Sequence, residues 1–260
     1  MLNYTGYFND RMNILGIIPA RYSSSRFPGK PLAMIGEKSM ICRVYEQALK
    51  CKSLSGVIIA TDHKAIEDHV REFGGNVMMT SPDHSSGTER CREVLERLTI
   101  VQKDFYDGVI NIQGDEPFID PIQIGEVAEC LSRPGVQIAT LVKKFVSNEE
   151  SDNPNVVKVV FDNQFRALYF SRSPIPYFRG NGIGDFPDQQ VCFKHIGIYG
   201  YRVSILFKLC ELPVSPLEKA ESLEQLRWLE NGYPVHVRET ELETMAIDTP
   251  SDLLKITNRP

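Results

Sequence analysis

Residues 14–31 read Ile14-Leu15-Gly16-Ile17-Ile18-Pro19-Ala20-Arg21-Tyr22-Ser23-Ser24-Ser25-Arg26-Phe27-Pro28-Gly29-Lys30-Pro31. Four apolar residues around one glycine are too short for a helix and spell a buried parallel strand. Pro19 stops the strand, and a polar loop follows with three cations, Arg21, Arg26 and Lys30. Small residues and Gly29 keep that backbone open, so its amides are available to an anion. A buried strand that runs into such a loop puts the cations at the carboxyl edge of a sheet, where open α/β folds bind ligands. Neither G-x-x-x-x-G-K-[ST] nor G-x-G-x-x-G occurs here, so the loop is neither a P-loop nor a dinucleotide fingerprint. The plain alternative is a solvated basic loop. Two prolines, a glycine and three cations directly after a buried strand favour a binding loop.

Outward from this stretch the same unit repeats. Residues 39–49 have helical spacing, and 56–62 form a strand that ends in Asp62. Residues 64–73 are an amphipathic helix stopped by Gly74-Gly75, and 76–80 are a third strand. Strand, helix, strand, helix, strand is the parallel, doubly wound pattern, with helices on both faces of the sheet. Residues 108–112 are another buried strand, 121–132 a helix opened by Pro121, and 137–142 a strand. The polar, acidic segment 147–155 is the best place for a change of topology. Two runs, 156–161 and 166–170, flank Asp162-Asn163-Gln164 as a β-hairpin, which adds an antiparallel portion to a mixed sheet. On a strand through 194–202, His195, Gly197, Tyr199 and Tyr201 share one face. Residues 216–231 read as one long helix with an apolar leucine stripe, and residues 179–190 as a Gly-rich, mobile loop.

Three polar segments stand where strands or helices change direction. Ser85-Ser86-Gly87-Thr88-Glu89-Arg90 opens a helix, and on pattern alone it is a capping segment, the commoner role of Ser and Thr there, although an exposed helix start also offers its amides to a ligand. Gln113-Gly114-Asp115-Glu116-Pro117 follows a strand. Asp115 there is either part of an ordinary polar turn or a ligand for Mg²⁺, which prefers one or two carboxylates plus phosphate oxygens and water. Asp248 precedes Thr249-Pro250, where the usual role of an Asp is to cap the helix that follows.

The chain has 260 residues with 29 basic and 34 acidic side chains, a net charge of −5. This balance argues against a nucleic-acid binder that works through overall charge, so an anionic ligand must be met by a local cluster. The six cysteines contain no C-x-x-C pair. The expectation is a set of reduced thiols in the cytoplasm, with neither a zinc site nor a disulfide framework. No apolar run reaches the roughly 20 residues needed to span a bilayer. Residues 1–12 do not read as a signal peptide, and we expect them to be a dispensable extension.

The run I-I-P-A-R-Y-S-S-S-R-F-P-G-K-P-L resembles the signature of the 3-deoxy-manno-octulosonate cytidylyltransferases, or CMP-Kdo synthetases. S-G-T-E-R, Q-G-D-E-P, S-R-S-P-I-P, K-H-I-G-I-Y-G, L-E-Q-L-R and I-D-T-P-S-D-L are similar to later family segments, in the family's order, over about residues 13–258. The family's last motif reads V-D-T-P-E-D-L, so the acid at Asp248 stands while the residue before Asp252 differs. Met245-Ala246 also departs from the small, often Gly-containing lead-in of the family.

The resemblance implies a single α/β nucleotidyltransferase domain over 13–258. Residues 13–146 form its nucleotide-binding half, and 147–258 its sugar-binding and dimerisation half. It implies transfer of CMP from CTP to the anomeric hydroxyl of Kdo for lipopolysaccharide synthesis, with Mg²⁺, by a homodimer. Ala20, Arg21, Arg26, Lys30, Ser86, Gly87 and Gln113 would bind the nucleotide. Arg90, Arg172, His195, Tyr199, Glu224 and Gln225 would bind the sugar. Asp115 and Asp248 would hold the metal, and with Arg21 and Lys30 make up the catalytic group. The alternatives are a cytidylyltransferase for 8-amino-Kdo or sialic acid, or a non-catalytic nucleotide sensor. Neither a nucleic acid nor a membrane is an expected partner.

Overall fold

Strand β1 (Ile14–Ala20) lies near the middle of the sheet because both its faces are buried. Ile14 and Ile18 join one apolar cluster, and Leu15 and Ile17 join another on the opposite face. The computed structural model describes residues 12–23, 27–101, 105–145, 149–179, 192–243 and 245–257. The expectations for residues 1–11, for Arg26 and for the loop from 180 to 190 lie outside the described residues.

After the cationic loop, a short hairpin of β2 (Met34–Ile35) and β3 (Lys38–Ser39) leads into helix α1 (Met40–Leu49). Ser39 caps α1 by accepting the Cys42 amide, a contact worth about 1 kcal/mol. Then come β4 (Gly56–Thr61), α2 (Lys64–Glu72), β5 (Val77–Met79), α3 (Gly87–Val101) and β6 (Gly108–Asn111). Helix α4 (Pro121–Ser132) precedes β7 (Ile138–Lys144), and a single turn, α5 (Glu149–Asp152), follows it. The expected hairpin forms from β8 (Lys158–Phe161) and β9 (Ala167–Ser171). The chain closes with β10 (Phe193–Arg202), α6 (Val203–Cys210), α7 (Pro216–Glu221), α8 (Gln225–Glu230), β11 (Val235–Glu239) and α9 (Pro250–Thr257).

Seven strands run in the order β11-β7-β10-β6-β1-β4-β5, and β8 and β9 extend the same sheet from β10. Of the seven, β10 alone is antiparallel, pairing with β6 on one side and β7 on the other. Helices α1, α2 and α4 bury their apolar stripes against one face. Helices α3, α6 and α8 cover the other, with Trp228 and Tyr201 at the centre of that cluster. The chain leaves β1 toward β4 and β5 on one side and toward β6 on the other. The crevice at the ends of β1 and β6 is therefore a topological switch point, where such sheets bind ligands.

The expected long helix over 216–231 is broken. Helix α7 ends at Glu221, and Ser222 turns into the left-handed region with φ 53° before α8 begins. The Arg172 guanidinium, from the end of β9, donates to the carbonyls of Glu221 (2.7 Å) and Ser222 (3.3 Å). Those carbonyls would otherwise accept the amides of a continuing helix. The break turns Glu224 and Gln225 inward, where both are largely buried.

Candidate active site

At the switch point the chain opens a cleft of about 260 Å³. Its walls are Pro19 to Arg21, Lys30 and Pro31, His84 to Gly87, Arg90, Gln113 to Asp115, and Asp248. Ala20, Arg21, Lys30, Ser86, Gly87, Arg90, Gln113, Asp115 and Asp248, expected from separate motifs, therefore line one space. Arg21 is exposed at its mouth.

Strand pairing explains the convergence. Parallel register sets Ile17 beside Asn111, so the loops after β1 and β6 leave the sheet side by side. Gly114 is required at that crossing, because a Cβ there would stand 2.7 Å from the Pro19 carbonyl oxygen. Gly29, with φ 69°, closes the cationic loop by donating its amide to the Tyr22 carbonyl (3.0 Å). The Ile247 amide donates to the Asp115 carbonyl (2.9 Å) and brings Asp248 to the same edge. Ile247 also packs with Ile35 and Met40 in a small apolar cluster under Phe27 and Leu253, so the C-terminal segment and the cationic loop share a support.

Lys30 is the hub of the cleft floor. Its ammonium lies 2.6 Å from Asp115 and 3.3 Å from Asp248. Asp248 is not the helix cap that its sequence context allows. Thr249 takes that role, accepting the Asp252 amide (3.2 Å) while Asp252 accepts the Thr249 amide (3.0 Å). The neighbouring Glu116 is buried, and burial, helped by the Asp115 charge, pushes its carboxyl up to about 8.

Ser86 and Gly87 serve as cap and lining together. The Ser86 hydroxyl accepts the Glu89 amide (3.2 Å), while the residue borders the cleft at the start of α3. Arg90 is 3% exposed, and its guanidinium meets Asp62 (2.8 Å), the Thr80 hydroxyl and the Ser81 carbonyl. Asp62 also accepts the Tyr22 amide (3.3 Å), and the Tyr22 ring stacks on His63 at 4.0 Å. Sequence reasoning saw only an acid at the end of β4. Its link to the cationic loop and to Arg90 depends on strand order, which spacing does not carry.

The remaining expected residues form a second group behind the cleft. Gln113 donates to the Gly197 carbonyl (2.8 Å), which is available because β10 bulges between Ile196 and Tyr199. The bulge inserts two residues, so His195 and Tyr199 stay on one face, 5.1 Å apart between ring centres. Thr140 of β7 sits beneath it, bonded to the Ile198 carbonyl (2.8 Å) and to His195 Nε2 (2.9 Å). Burial lowers the His195 pKa to about 3, and burial pushes the Tyr199 hydroxyl well above its usual value. Glu224 accepts the Thr88 hydroxyl (2.9 Å), joining α8 to the first turn of α3. Burial raises the Glu224 pKa, and the hydroxyls of Thr88 and Ser86 oppose that rise. Gln225 is buried beside it. Arg172 lies apart from the cleft lining, its amide bonded to Glu221 and its guanidinium to three carbonyls.

The cleft thus offers cations and a helix N-terminus to a polyanion, and two hard carboxylates to a divalent cation. Among the described residues no group of three or more His, Cys, Asp or Glu side chains is placed to hold a metal. Two carboxylates suit an ion that takes its other ligands from phosphate and water, as Mg²⁺ does.

A family model described as cytidylyltransferase matches residues 15–243. The 3-deoxy-manno-octulosonate cytidylyltransferase of Parabacteroides distasonis is 51% identical over 248 residues, covering 94% of this chain and 96% of the relative. That of Bacteroides thetaiotaomicron is 52% identical over 245 residues, covering 93% and 96%. A solved CMP:2-keto-3-deoxy-manno-octonic acid synthetase, complexed with CTP, superposes with a TM-score of 0.85 at 41% identity, over 94% of this chain and 97% of the other.

Proposed function

The chain belongs to the cytidylyltransferase family, and we propose that it transfers CMP from CTP to the anomeric hydroxyl of Kdo, releasing pyrophosphate. The observation that carries this reading is the convergence of Lys30, Asp115 and Asp248 on one cleft beside Arg21 and the start of α3. These residues come from segments 85 and 218 positions apart, and they supply the charges that phosphoryl transfer needs.

In this reading the sugar hydroxyl attacks the α-phosphorus of CTP in line with the departing pyrophosphate, and catalysis is positioning plus charge neutralisation. Arg21 and Lys30, with Arg26 of the same loop, neutralise the triphosphate and the leaving pyrophosphate. Backbone amides at Ser86 and Gly87 add the positive end of α3. Gln113 orients the nucleotide while its amide stays bonded to the sugar side through Gly197. Asp115 and Asp248 would hold Mg²⁺, which when bound supplies charge neutralisation at the phosphates and lowers the pKa of the attacking hydroxyl.

Arg90, Arg172, His195, Tyr199, Glu224 and Gln225 would orient the acid sugar. The environment of His195 narrows its part. Thr140 has one hydroxyl proton, and the carbonyl of Ile198 at 2.8 Å is its better acceptor. His195 Nε2 is then the donor to Thr140, which leaves Nδ1 to accept a hydrogen bond from a sugar hydroxyl. A neutral imidazole of this kind reads hydroxyls, and the sugar carboxylate falls to a guanidinium. Six cysteines without a C-x-x-C pair suit a reducing compartment, and we place the enzyme in the cytoplasm as a homodimer, as expected of the family.

The test is pyrophosphate release with CTP, Mg²⁺ and a panel of Kdo, 8-amino-Kdo and sialic acid. Release with Kdo is expected. Preference for the 8-amino sugar would keep the chemistry and change the substrate, and silence with every sugar despite CTP binding would overturn the enzymatic reading.

A further inference from the structure

The placement of Lys30 raises a question of occupancy. Its side chain is 14% exposed, less than the 27% of Asp115 and 41% of Asp248, the two carboxylates it bridges. A divalent cation bound to those carboxylates sits about 2.0–2.6 Å from each ligand oxygen. The ammonium is already 2.6 Å from Asp115 Oδ2. Two positive centres packed against one carboxylate oxygen in a partly buried site repel strongly.

The backbone around Lys30 is fixed. Its amide donates to the Phe27 carbonyl (3.2 Å), and its carbonyl accepts the Ala33 amide (3.0 Å). Any relief must therefore come from the flexible four-carbon stem, which can carry a point charge from one partner to another. The same cleft is lined by Arg21, Ser86 and Gly87, whose charge and amides would hold the phosphates in the proposed reading.

We propose that Lys30 and a divalent cation are alternative occupants of the Asp115–Asp248 pair, so that loading the pair releases the Lys30 ammonium to the nucleotide's phosphates. This rests on the reading of Asp115 and Asp248 as metal carboxylates. The protein alone then binds the metal weakly, because the ion must evict a cation that has no new partner. With a nucleotide present the evicted ammonium gains phosphate oxygens, so metal and nucleotide strengthen each other's binding through one side chain.

The experiment is titration of the full-length chain with Mn²⁺, followed by electron paramagnetic resonance, without nucleotide. Wild type, Lys30→Gln, Lys30→Arg and Asp115→Asn are compared. Lys30→Gln should bind Mn²⁺ about tenfold or more tighter than wild type, the scale set by deleting one like charge in contact with the site. Lys30→Arg should stay near wild type, and Asp115→Asn should lose the site. In calorimetry, the gain in CTP affinity produced by Mn²⁺ should shrink in Lys30→Gln. Equal or weaker Mn²⁺ binding by Lys30→Gln, with Asp115→Asn defective, would overturn the exchange while leaving the metal reading intact. Intact Mn²⁺ binding by Asp115→Asn would remove both. Should Lys30→Gln fail to fold, the Lys30 side-chain NH₃⁺ signal of wild type decides by NMR. It should move on saturation with Mg²⁺ alone, and a signal that stays in place refutes the exchange.

Discussion

Asp62 is the residue whose loss should separate positioning from chemistry most cleanly. Its side chain is 12% exposed and that of Arg90 is 4% exposed, at 2.8 Å, and the second carboxylate oxygen accepts the Tyr22 amide. Asp62→Ala would leave the guanidinium with only Thr80 and Ser81 as partners among the described residues. Removing one member of a buried pair costs about 3–5 kcal/mol, and the surviving partners place this case near 3 kcal/mol. At about 2–4 °C per kcal/mol for a chain of this size, melting should fall by about 6–12 °C. Asp62→Asn has one acceptor oxygen where the carboxylate has two, so it keeps one of the two bonds and should lose roughly half as much. Because the Tyr22 amide anchors the cationic loop, KM for CTP should rise more than kcat falls in both variants. Thermal melting and pyrophosphate release at varied CTP measure the two effects. An Asp62→Ala protein melting within about 1 °C of wild type, with unchanged KM, would refute the reasoning.

Asp115→Asn and Asp248→Asn should each lower turnover by about 100-fold or more while circular dichroism stays that of wild type, and a near-normal rate would remove that carboxylate from the mechanism. Gly114→Ala forces a Cβ against the Pro19 carbonyl, a backbone atom that has no rotamer to escape into. It should cost about 1–3 kcal/mol in urea unfolding and reduce turnover by spreading the two loops. His195 gives a pH signature. Burial lowers its pKa from 6.5 to about 3, so the fold keeps it neutral while the unfolded chain takes up a proton below pH 6.5. Stability that is intact above pH 6.5 is therefore lost as pH falls toward 3, by roughly 2 kcal/mol at about pH 5. His195→Gln should remove this component, and parallel stability curves for the two proteins at pH 7 and 5 would contradict it.

What could be read from the sequence follows the range of the interactions involved. Strand β1 announces itself through adjacent apolar residues, and Gly114-Asp115 through a polar turn that no helix would hold. Both signals are local. The break at Ser222 had none, because the leucine stripe continues through it and its cause, the Arg172 guanidinium, comes from 50 positions away. Asp248 is an intermediate case. Its release from capping was written in Thr249 and Asp252, three residues apart and able to cap each other, but Asp before Thr-Pro offers a competing and commoner pattern. The hairpin of β8 and β9 was legible, while the insertion of β10 between β6 and β7 was not, since strand order is set by pairing between distant segments.

That insertion is what joins the two expected halves of the site. If β10 stood at an edge, it could keep the Gln113–Gly197 contact beside β6 or the His195–Thr140 contact beside β7, but not both. Placed between β6 and β7, its bulge turns one carbonyl toward the loop that carries Asp115 and leaves another on Thr140. A one-residue slip of β10 against β7 would send His195 and Tyr199 to the opposite face of the sheet. The Thr140 hydroxyl, bonded to β10 and to His195 at once, opposes such a slip. The Thr88–Glu224 bond does the same for α8, tying its start to α3, the helix whose first residues line the cleft. Each half thus takes its geometry from the other. If the proposed sugar group is right, substitutions at Thr88, Gln113 or Thr140 should alter sugar specificity by displacing Glu224, the β10 bulge or His195, which a comparison of kcat/KM for Kdo and 8-amino-Kdo would read out.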